Sequence, residues 1–240
     1  MNITILHLFP DLMNLYGDWG NVAILRRTLE TMGHDVTVVS PNTVENVYIE
    51  TADMIYMGAG MERRSLYALE LLRPYGKMLQ TLVEQGVPMV FCGTAMDLLG
   101  ATITDEAGTV HDGLGVLPFT VTHSNRRLVG DVMGDCPVTD RSVVGYLNSC
   151  SVVTGIETPL LSKVTLGNSH GAGLLHRNVM ASPLTGPLLV KNPELLRYVI
   201  TTLLTRKGVH FEAVPLSEHA MAGHEITVEA LKNRISEKNS

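Results

Sequence analysis

The sequence is poor in cysteine, tryptophan and charged residues, and this composition excludes several classes of protein. Its 240 residues include 3 cysteines, 1 tryptophan and 18% charged residues. Three cysteines without a metal-type spacing are too few for a disulfide scaffold and favour a reducing compartment. No apolar run approaches the roughly 20 residues that a membrane-spanning helix needs, and the N-terminus lacks the basic start of a signal peptide. We therefore expect a cytoplasmic protein that is not embedded in a membrane.

The sequence also lacks an excess of basic residues. Lys and Arg number 18 against 24 Asp and Glu, which gives a formal net charge of -6. Proteins that bind nucleic acid through its phosphates usually carry a basic surface. The hydrophobic share of 45% is that of a globular chain rather than a disordered one. We expect a folded protein with no nucleic-acid partner.

Short β-type runs alternate with helical runs in the first hundred residues. Four apolar β-type runs lie there, at residues 3–9, 36–39, 54–57 and 88–91. This alternation predicts an α/β fold with a doubly wound, mostly parallel sheet. Between about residues 110 and 190 the runs are short and separated by glycine and asparagine, which predicts a mixed β segment. We expect one domain over residues 1–207 and a C-terminal extension over residues 208–240, packed on the domain or trailing from it.

Cys92 lies where a parallel sheet would place a reactive group. It ends the fourth β-type run, Gly93 follows it, and a helical run begins at Ala95. A strand–Cys–helix turn would expose the thiol at the carboxyl edge of the sheet and at a helix N-terminus, whose partial positive charge favours the thiolate. Neighbouring backbone N–H groups would stabilise an oxyanion. The alternative is that Cys92 is a small, buried hydrophobic residue.

Several motifs, in order along the chain, resemble those of a known family. The most specific are NLYGDWGN at residues 14–21 and GPLL followed by KNPE at residues 186–194. The shorter ones lie at residues 58–63, 92–93, 113–115 and 127–131. Together they resemble the GatD-type subunits of lipid II isoglutaminyl synthase, which are glutamine amidotransferases of the cobyric-acid-synthase type. The resemblance covers nearly the whole chain and implies the class I glutamine amidotransferase fold.

The resemblance implies a chemistry for specific positions. Cys92 would attack the side-chain amide of glutamine, release ammonia and form a glutamyl thioester that water hydrolyses. Backbone N–H groups at Gly60 and Gly93 would form the oxyanion hole. Arg127 would bind the carboxylate of glutamine, a task that suits the guanidinium fork. From its local sequence alone, Arg127 is better explained as an exposed cation at a strand edge.

The resemblance also implies a second subunit. Ammonia would pass to a Mur-ligase-like partner of the MurT type, which would use ATP to activate the D-glutamate of lipid II for amidation in peptidoglycan synthesis. This sequence has no GxxxxGK(S/T) phosphate-binding motif. We therefore expect ATP on the partner, and no cofactor or metal in this chain.

The sequence departs from the family pattern where proton transfer takes place. The family has a catalytic histidine directly before GPLL, whereas this chain has Thr185, which cannot accept a thiol proton near neutral pH. The family elbow reads CGGYQxLG, whereas residues 92–100 read CGTAMDLLG, one residue longer and without the glutamine. A family Glu-Asn-His stretch is replaced by LNSC at residues 147–150. His170 and His176 are the candidate replacement bases.

Three functional hypotheses follow from this comparison. The first is a working glutaminase subunit whose general base has moved, and the second is a catalytically impaired relative that serves as a partner-binding scaffold. The third is an amidotransferase for another acceptor, such as a corrinoid. Cobyric-acid-type enzymes usually carry an additional ATP-binding domain, for which 240 residues leave no room. The positions that depart from the family pattern are those expected to take part in proton transfer. This favours a subunit that keeps the family's role but hydrolyses glutamine less well.

Overall fold

The computed structural model describes residues 1–43 and 48–239, which form two β-sheets with flanking helices. The strands are β1 (Asn2–His7), β2 (Asp35–Val39), β3 (Met54–Met57), β4 (Met89–Cys92), β5 (Thr102–Thr104), β6 (Val110–Asp112), β7 (Thr120–Asp135), β8 (Val143–Thr154), β9 (Lys163–Leu166), β10 (Leu174–His176), β11 (Val179–Ser182) and β12 (Leu184–Thr185). The helices are α1 (Trp19–Thr31), α2 (Glu62–Leu72), α3 (Gly76–Glu84), α4 (Ala95–Leu98), α5 (Leu188–Lys191), α6 (Pro193–Arg206) and α7 (Glu218–Asn239).

The first sheet is the parallel one that the alternating pattern predicts. Its strand order is β10–β11–β4–β3–β1–β2. The pairs from β11 to β2 are parallel, and β10 runs antiparallel to β11. Helices α2 and α3 pack on one face of this sheet, and α1 and α6 pack on the other. The predicted doubly wound α/β fold is confirmed.

The second sheet is the mixed β segment of the second half. Its order is β12–β8–β7–β5–β6, with β9 paired to β7. β5 runs parallel to β7, whereas β8 runs antiparallel to it. The register of the long β7–β8 pair shifts between His123 and Leu128, and Arg127 lies within this irregular segment.

Helix α7 lies on the outer face of the second sheet. Leu231 packs in a small apolar cluster with Met133 of β7 and Val144 of β8. Exposed ion pairs join Arg141 to Glu225 and Arg234 to Asp131. Among the described residues, no helix has the length and apolar character needed to cross a bilayer.

The alternation of side chains along β4 decides which residues face which helices. Met89 and Phe91 belong to the apolar cluster with α2 and α3, whereas Val90 and Cys92 belong to the cluster with α1 and α6. Successive side chains of a strand point to opposite faces. The thiol of Cys92 is therefore part of the core on the α1 and α6 side of the sheet.

Candidate active site

A cleft of about 270 Å³ lies at the carboxyl edge of the first sheet, where the second sheet meets it. Residues that follow β1, β3, β4 and β11 line it together with residues of β7 and β8: Leu15, Tyr16, Ala59, Gly60, Met61, Glu62, Gly93, Thr94, Arg127, Asn148, Ser149, Pro183 and Thr185. This is the crevice position at which open α/β sheets bind ligands. Its volume suits a ligand of metabolite size.

Gly93 is the turning point between β4 and α4. Its φ is 59°, in the left-handed region that side-chain-bearing residues rarely adopt. A Cβ on Gly93 would lie 2.5 Å from the Cβ of Ala59. Glycine is therefore required here by both its dihedral angle and its close neighbour. The residue that the elbow presents to the cleft has no side chain.

Cys92 is not brought to the cleft. Its side chain is fully buried and is absent from the cleft lining. Burial, reinforced by the nearby Asp18 carboxyl, raises the pKa of the Cys92 thiol well above its ordinary value. Helix α4 is only four residues long, so its dipole is small. The predicted exposure of the thiol at the sheet edge is wrong, because the strand register turns it toward α1 and α6.

The burial of Cys92 leads to a prediction about its reactivity. We expect iodoacetamide to leave Cys92 unmodified in the folded protein at neutral pH, because the thiolate is the reactive form and neither water nor reagent reaches it. In denaturant the same residue should react. Peptide mapping by mass spectrometry separates it from Cys136 and Cys150, which are also buried. Rapid modification of Cys92 in folded protein would contradict this expectation.

The two predicted oxyanion donors already have partners within the protein. The N–H of Gly60 donates to Thr94 Oγ1 at 3.0 Å, and the Thr94 hydroxyl donates back to the Gly60 carbonyl at 3.0 Å. The N–H of Gly93 donates to the carbonyl of Ser182 at 2.8 Å. An oxyanion hole needs donors that are aimed at the reacting oxygen. In this conformation the Thr94 hydroxyl occupies the place of such an oxygen at Gly60.

Arg127 lines the cleft, as predicted, but it is not an isolated cation. Its guanidinium forms an ion pair with Glu62 in the first turn of α2. It also donates to Asn148 Oδ1 at 3.3 Å, and Asn148 Nδ2 donates to the Tyr16 hydroxyl at 2.9 Å. Partial burial opposes ionisation of Glu62, but bonds from its own backbone N–H and from Arg127 outweigh this and lower the pKa of Glu62. Opposite charges therefore lie side by side at this cleft.

Thr185 lies in the cleft, and the two candidate bases do not. The Thr185 hydroxyl donates to the carbonyl of Tyr146 at 2.9 Å. His176 pairs with the first residue of β11, whereas the turn at Gly93 lies beside the last, about 10 Å further along the strand. His170 is in a 3-10 turn, and neither histidine is among the residues that line the cleft. The structure thus brings Gly60, Gly93, Arg127 and Thr185 together and leaves Cys92, His170 and His176 outside.

The chain resembles a known domain. Its features are a parallel sheet with a glycine elbow, a cleft at the carboxyl edge of that sheet, and an arginine that lines the cleft with the elbow. The CobB/CobQ-like glutamine amidotransferase model matches residues 4–193. The chain belongs to this family. It is 30% identical to the GatD subunit of the glutamine-hydrolysing lipid II isoglutaminyl synthase of Staphylococcus aureus (strain N315), over 91% of each chain. It is 29% identical to the GatD subunit of Streptococcus pneumoniae (strain ATCC BAA-255 / R6), over 85% of this chain and 82% of that one.

Solved structures agree on the architecture. A crystal structure of a glutamine amidotransferase superposes with a TM-score of 0.52 at 19% identity, covering 85% of this chain and 99% of that one. A glutamine amidotransferase from Thermotoga maritima gives a TM-score of 0.51 at 10% identity, covering 93% and 92%. At these identities the likeness shows the fold of the amidotransferase family.

The family's elbow pattern also explains what sequence reasoning missed. When CGGYQxLG is aligned backward from Leu99-Gly100 without an insertion, Gly93 falls at the cysteine position and Thr94 at the glycine after it. Asp97 then falls at the glutamine position. The left-handed φ of Gly93 agrees with this alignment, because a nucleophile elbow is a sharp, strained turn. The extra residue that the sequence comparison placed after Cys92 is therefore not an insertion in the turn.

A buried polar network behind the amidotransferase elbow was also missed. Asp97 Oδ2 lies 3.2 Å from His123 Nε2 of β7 and accepts a hydrogen bond from Ser151 Oγ of β8 at 2.6 Å. All three side chains are buried. Burial alone would lower the pKa of His123, but the hydrogen bond and charge of Asp97 outweigh it and raise that pKa. The network ties α4 to the β7–β8 pair behind the cleft.

Asp18 of the NLYGDWGN motif contacts the loop after β3, which lines the cleft. Asp18 is fully buried, and its Oδ2 accepts a hydrogen bond from the Ala59 N–H at 2.6 Å. Burial raises the pKa of Asp18 to about 7, against the opposing effects of the Ala59 bond and the Lys191 charge. Asp18 Oδ1 has no hydrogen-bond partner among the described residues, which agrees with a neutral carboxylic acid. Asp18 therefore holds the loop that carries Gly60.

Proposed function

We propose that this chain is the GatD-type subunit of a complex that amidates lipid II, and that it binds a Mur-ligase-like partner of the MurT type. In this proposal the partner holds ATP and activates the D-glutamate carboxyl, as the sequence resemblance implies. The observation that carries the proposal is the likeness to two GatD subunits over most of the length of each chain. Both relatives are named for lipid II, which favours this acceptor over a corrinoid.

A specific observation favours a second proposal about the glutaminase step, namely that this subunit is catalytically impaired. The described residues that line the cleft include no cysteine and no histidine, although the thiol of Cys150 donates a hydrogen bond to the cleft residue Glu62 at 3.4 Å. Nucleophilic attack on an amide needs a thiolate beside a general base. The Cys92 thiol is buried on the α1 and α6 side of the sheet, and Thr185 occupies the family's histidine position. Hydrolysis through Cys92 would require the β4 register to change.

Both proposals are tested by measuring whether the complex uses ammonium or glutamine as its nitrogen source. We expect the purified complex, given ATP and lipid II, to form the amidated product with ammonium and not with glutamine. No glutamate should be released from glutamine by wild type or by Cys92→Ala, with the partner present. Glutamine-dependent product that disappears in Cys92→Ala would show a live Cys92 enzyme and refute the impaired state. Failure of the chain to form a complex with a MurT-type protein from the same organism would refute the subunit role.

A variant with a rebuilt active site provides the positive control for this assay. Gly93→Cys supplies a thiol at the elbow, Ala59→Gly removes the 2.5 Å contact that its Cβ would meet, and Thr94→Gly frees the Gly60 N–H. Thr185→His then supplies a base. We expect glutamate release by the combined variant and none by Thr185→His alone, because a base without a nucleophile cannot form a thioester.

A further inference from the structure

The two most specific sequence motifs, NLYGDWGN and the segment at residues 186–194, pack against each other in the structure. A Cβ on Gly20 would lie only 3.0 Å from the Cβ of Pro187. The N–H of Leu189 donates to Asn21 Oδ1 at 2.7 Å, and both of these residues are buried. The buried residues of the two motifs therefore join α1 to α5 and have a structural role.

The exposed side chains of the two motifs have no such role. They form one surface, which we call the motif patch and which consists of Tyr16, Trp19, Val190 and Lys191. A Cβ on Gly20 would lie 3.8 Å from Val190 Cγ2, so Val190 is beside the start of α1. A Cβ on Gly186 would lie 3.0 Å from Lys191 Nζ and 3.9 Å from the carbonyl oxygen of Tyr16. These short distances make the patch continuous.

The aromatic side chains of the motif patch are unusually exposed. Trp19 is the only tryptophan of the chain and is 59% exposed, and Tyr16 is 51% exposed. Exposed apolar side chains that occur singly need no explanation, but a cluster with a polar border marks an interaction site. Tryptophan and tyrosine are also among the residue types most enriched at the centres of protein interfaces. The motif patch therefore has the composition of a protein-binding surface.

Lys191 limits the kind of protein that fits this surface. Its ammonium group forms no ion pair within residues 1–43 and 48–239. An unpaired cation beside exposed aromatic rings is complementary to a partner that carries a carboxylate next to an apolar pocket. A second copy of this chain fits less well, because a two-fold interface centred on the patch brings two Lys191 side chains together.

The position of the motif patch adds to the surface that a partner can cover. Tyr16 also lines the cleft at the carboxyl edge of the first sheet. Val190 lines two further cavities, of about 490 and 360 Å³, which lie beside α7. A protein that covers the patch therefore borders the cleft on one side and the cavities beside α7 on the other.

We infer that the motif patch is the docking surface for the protein partner of this chain. The indole of Trp19 enters an apolar pocket of the partner, and Lys191 pairs with a carboxylate beside that pocket. The partner is the Mur-ligase-like protein of the proposed function, on which this inference rests. Trp19 contributes the largest share of the affinity, and Lys191 increases the rate of association.

Biolayer interferometry with the full chain and a purified MurT-type protein from the same organism tests the surface. We expect Trp19→Ala to weaken the complex by at least about tenfold, mainly through faster dissociation, with partial recovery in Trp19→Phe. Lys191→Gln should slow association and reduce its dependence on salt. Tyr67→Ala and Val110→Ala remove side chains that are 56% and 62% exposed outside the patch, and they should bind like wild type. Thermal melting checks that each variant is folded.

The single tryptophan also allows a direct spectroscopic test. When fluorine-labelled tryptophan is incorporated into this chain alone, the label gives one fluorine resonance, because the chain has one tryptophan. We expect the unlabelled partner to shift this resonance and to abolish its difference between light and heavy water, since burial removes solvent from the indole. Serum albumin at the same concentration should cause neither change.

The outcomes separate the surface from the subunit role. Equal affinity of wild type and Trp19→Ala for the partner, or an unchanged fluorine resonance in the complex, would overturn the docking surface and leave the subunit role intact. Absence of any complex with wild type would overturn both. Sedimentation of the isolated chain as a dimer that Trp19→Ala dissociates would assign the patch to a second copy and would also overturn the inference.

Discussion

Replacing His123 with alanine is expected to lower the free energy of unfolding at pH 6 by about 3–5 kcal/mol, the cost of removing one partner from a buried ion pair, because the raised pKa of His123 keeps the imidazole protonated at that pH. The His123 and Asp97 side chains are each only 2% exposed. Without His123, the Asp97 carboxylate keeps one hydrogen bond from Ser151 and loses its compensating charge. Because Asp97 lies on α4, the loss also loosens the elbow against the β7–β8 pair. Equilibrium denaturation in urea measures the change.

The matched control for this variant is His111→Ala. His111 Nε2, on β6, lies 2.9 Å from Asp105 Oδ2 in the turn that joins β5 to β6, but these side chains are 27% and 24% exposed. Water stabilises the remaining carboxylate there, so we expect a much smaller change in the urea midpoint. Equal destabilisation by the two substitutions would mean that burial does not determine how much the Asp97–His123 pair contributes to the free energy of unfolding.

A second large effect is expected from Asp18, and it depends on pH. The pKa of Asp18 is about 7 in the folded protein, against an ordinary value of 3.8. The folded state therefore holds a proton that the unfolded state has lost, so stability falls as pH rises from about 4 to about 7. The difference between these pKa values corresponds to roughly 4 kcal/mol. Above pH 7 the contribution is constant.

Asp18→Asn isolates this effect. Asparagine is neutral at every pH and keeps an oxygen that can accept from the Ala59 N–H. We expect the stability of wild type relative to Asp18→Asn, measured by urea denaturation, to decrease steadily between these pH values. Burial lowers the pKa of His7 to about 4, which acts in the opposite direction but is common to both proteins and cancels in the difference. A parallel course of the wild-type and Asp18→Asn curves would contradict the raised pKa of Asp18.

Much of the fold could be predicted because it depends on local patterns. Short apolar runs separated by helical runs predict parallel strands with crossover helices, and the right-handed crossover rule leaves few arrangements. Loops that follow such strands meet at one edge, and the positions of Gly60 and Gly93 in one cleft agree with this rule. Arg127 required the family resemblance, because it lies on a strand of the second sheet.

The sequence by itself therefore determined the parallel sheet, the carboxyl-edge cleft, the family and the absence of a histidine at position 185. Only the tertiary structure decided which side of β4 faces the cleft, and hence that Gly93, not Cys92, is presented there. It also decided that Thr94 satisfies Gly60 and that Glu62 neutralises Arg127. The physical reason is that the sequence shows only that successive side chains of a strand point to opposite faces. Tertiary packing determines which helices cover each face and which distant segments form hydrogen bonds with each other.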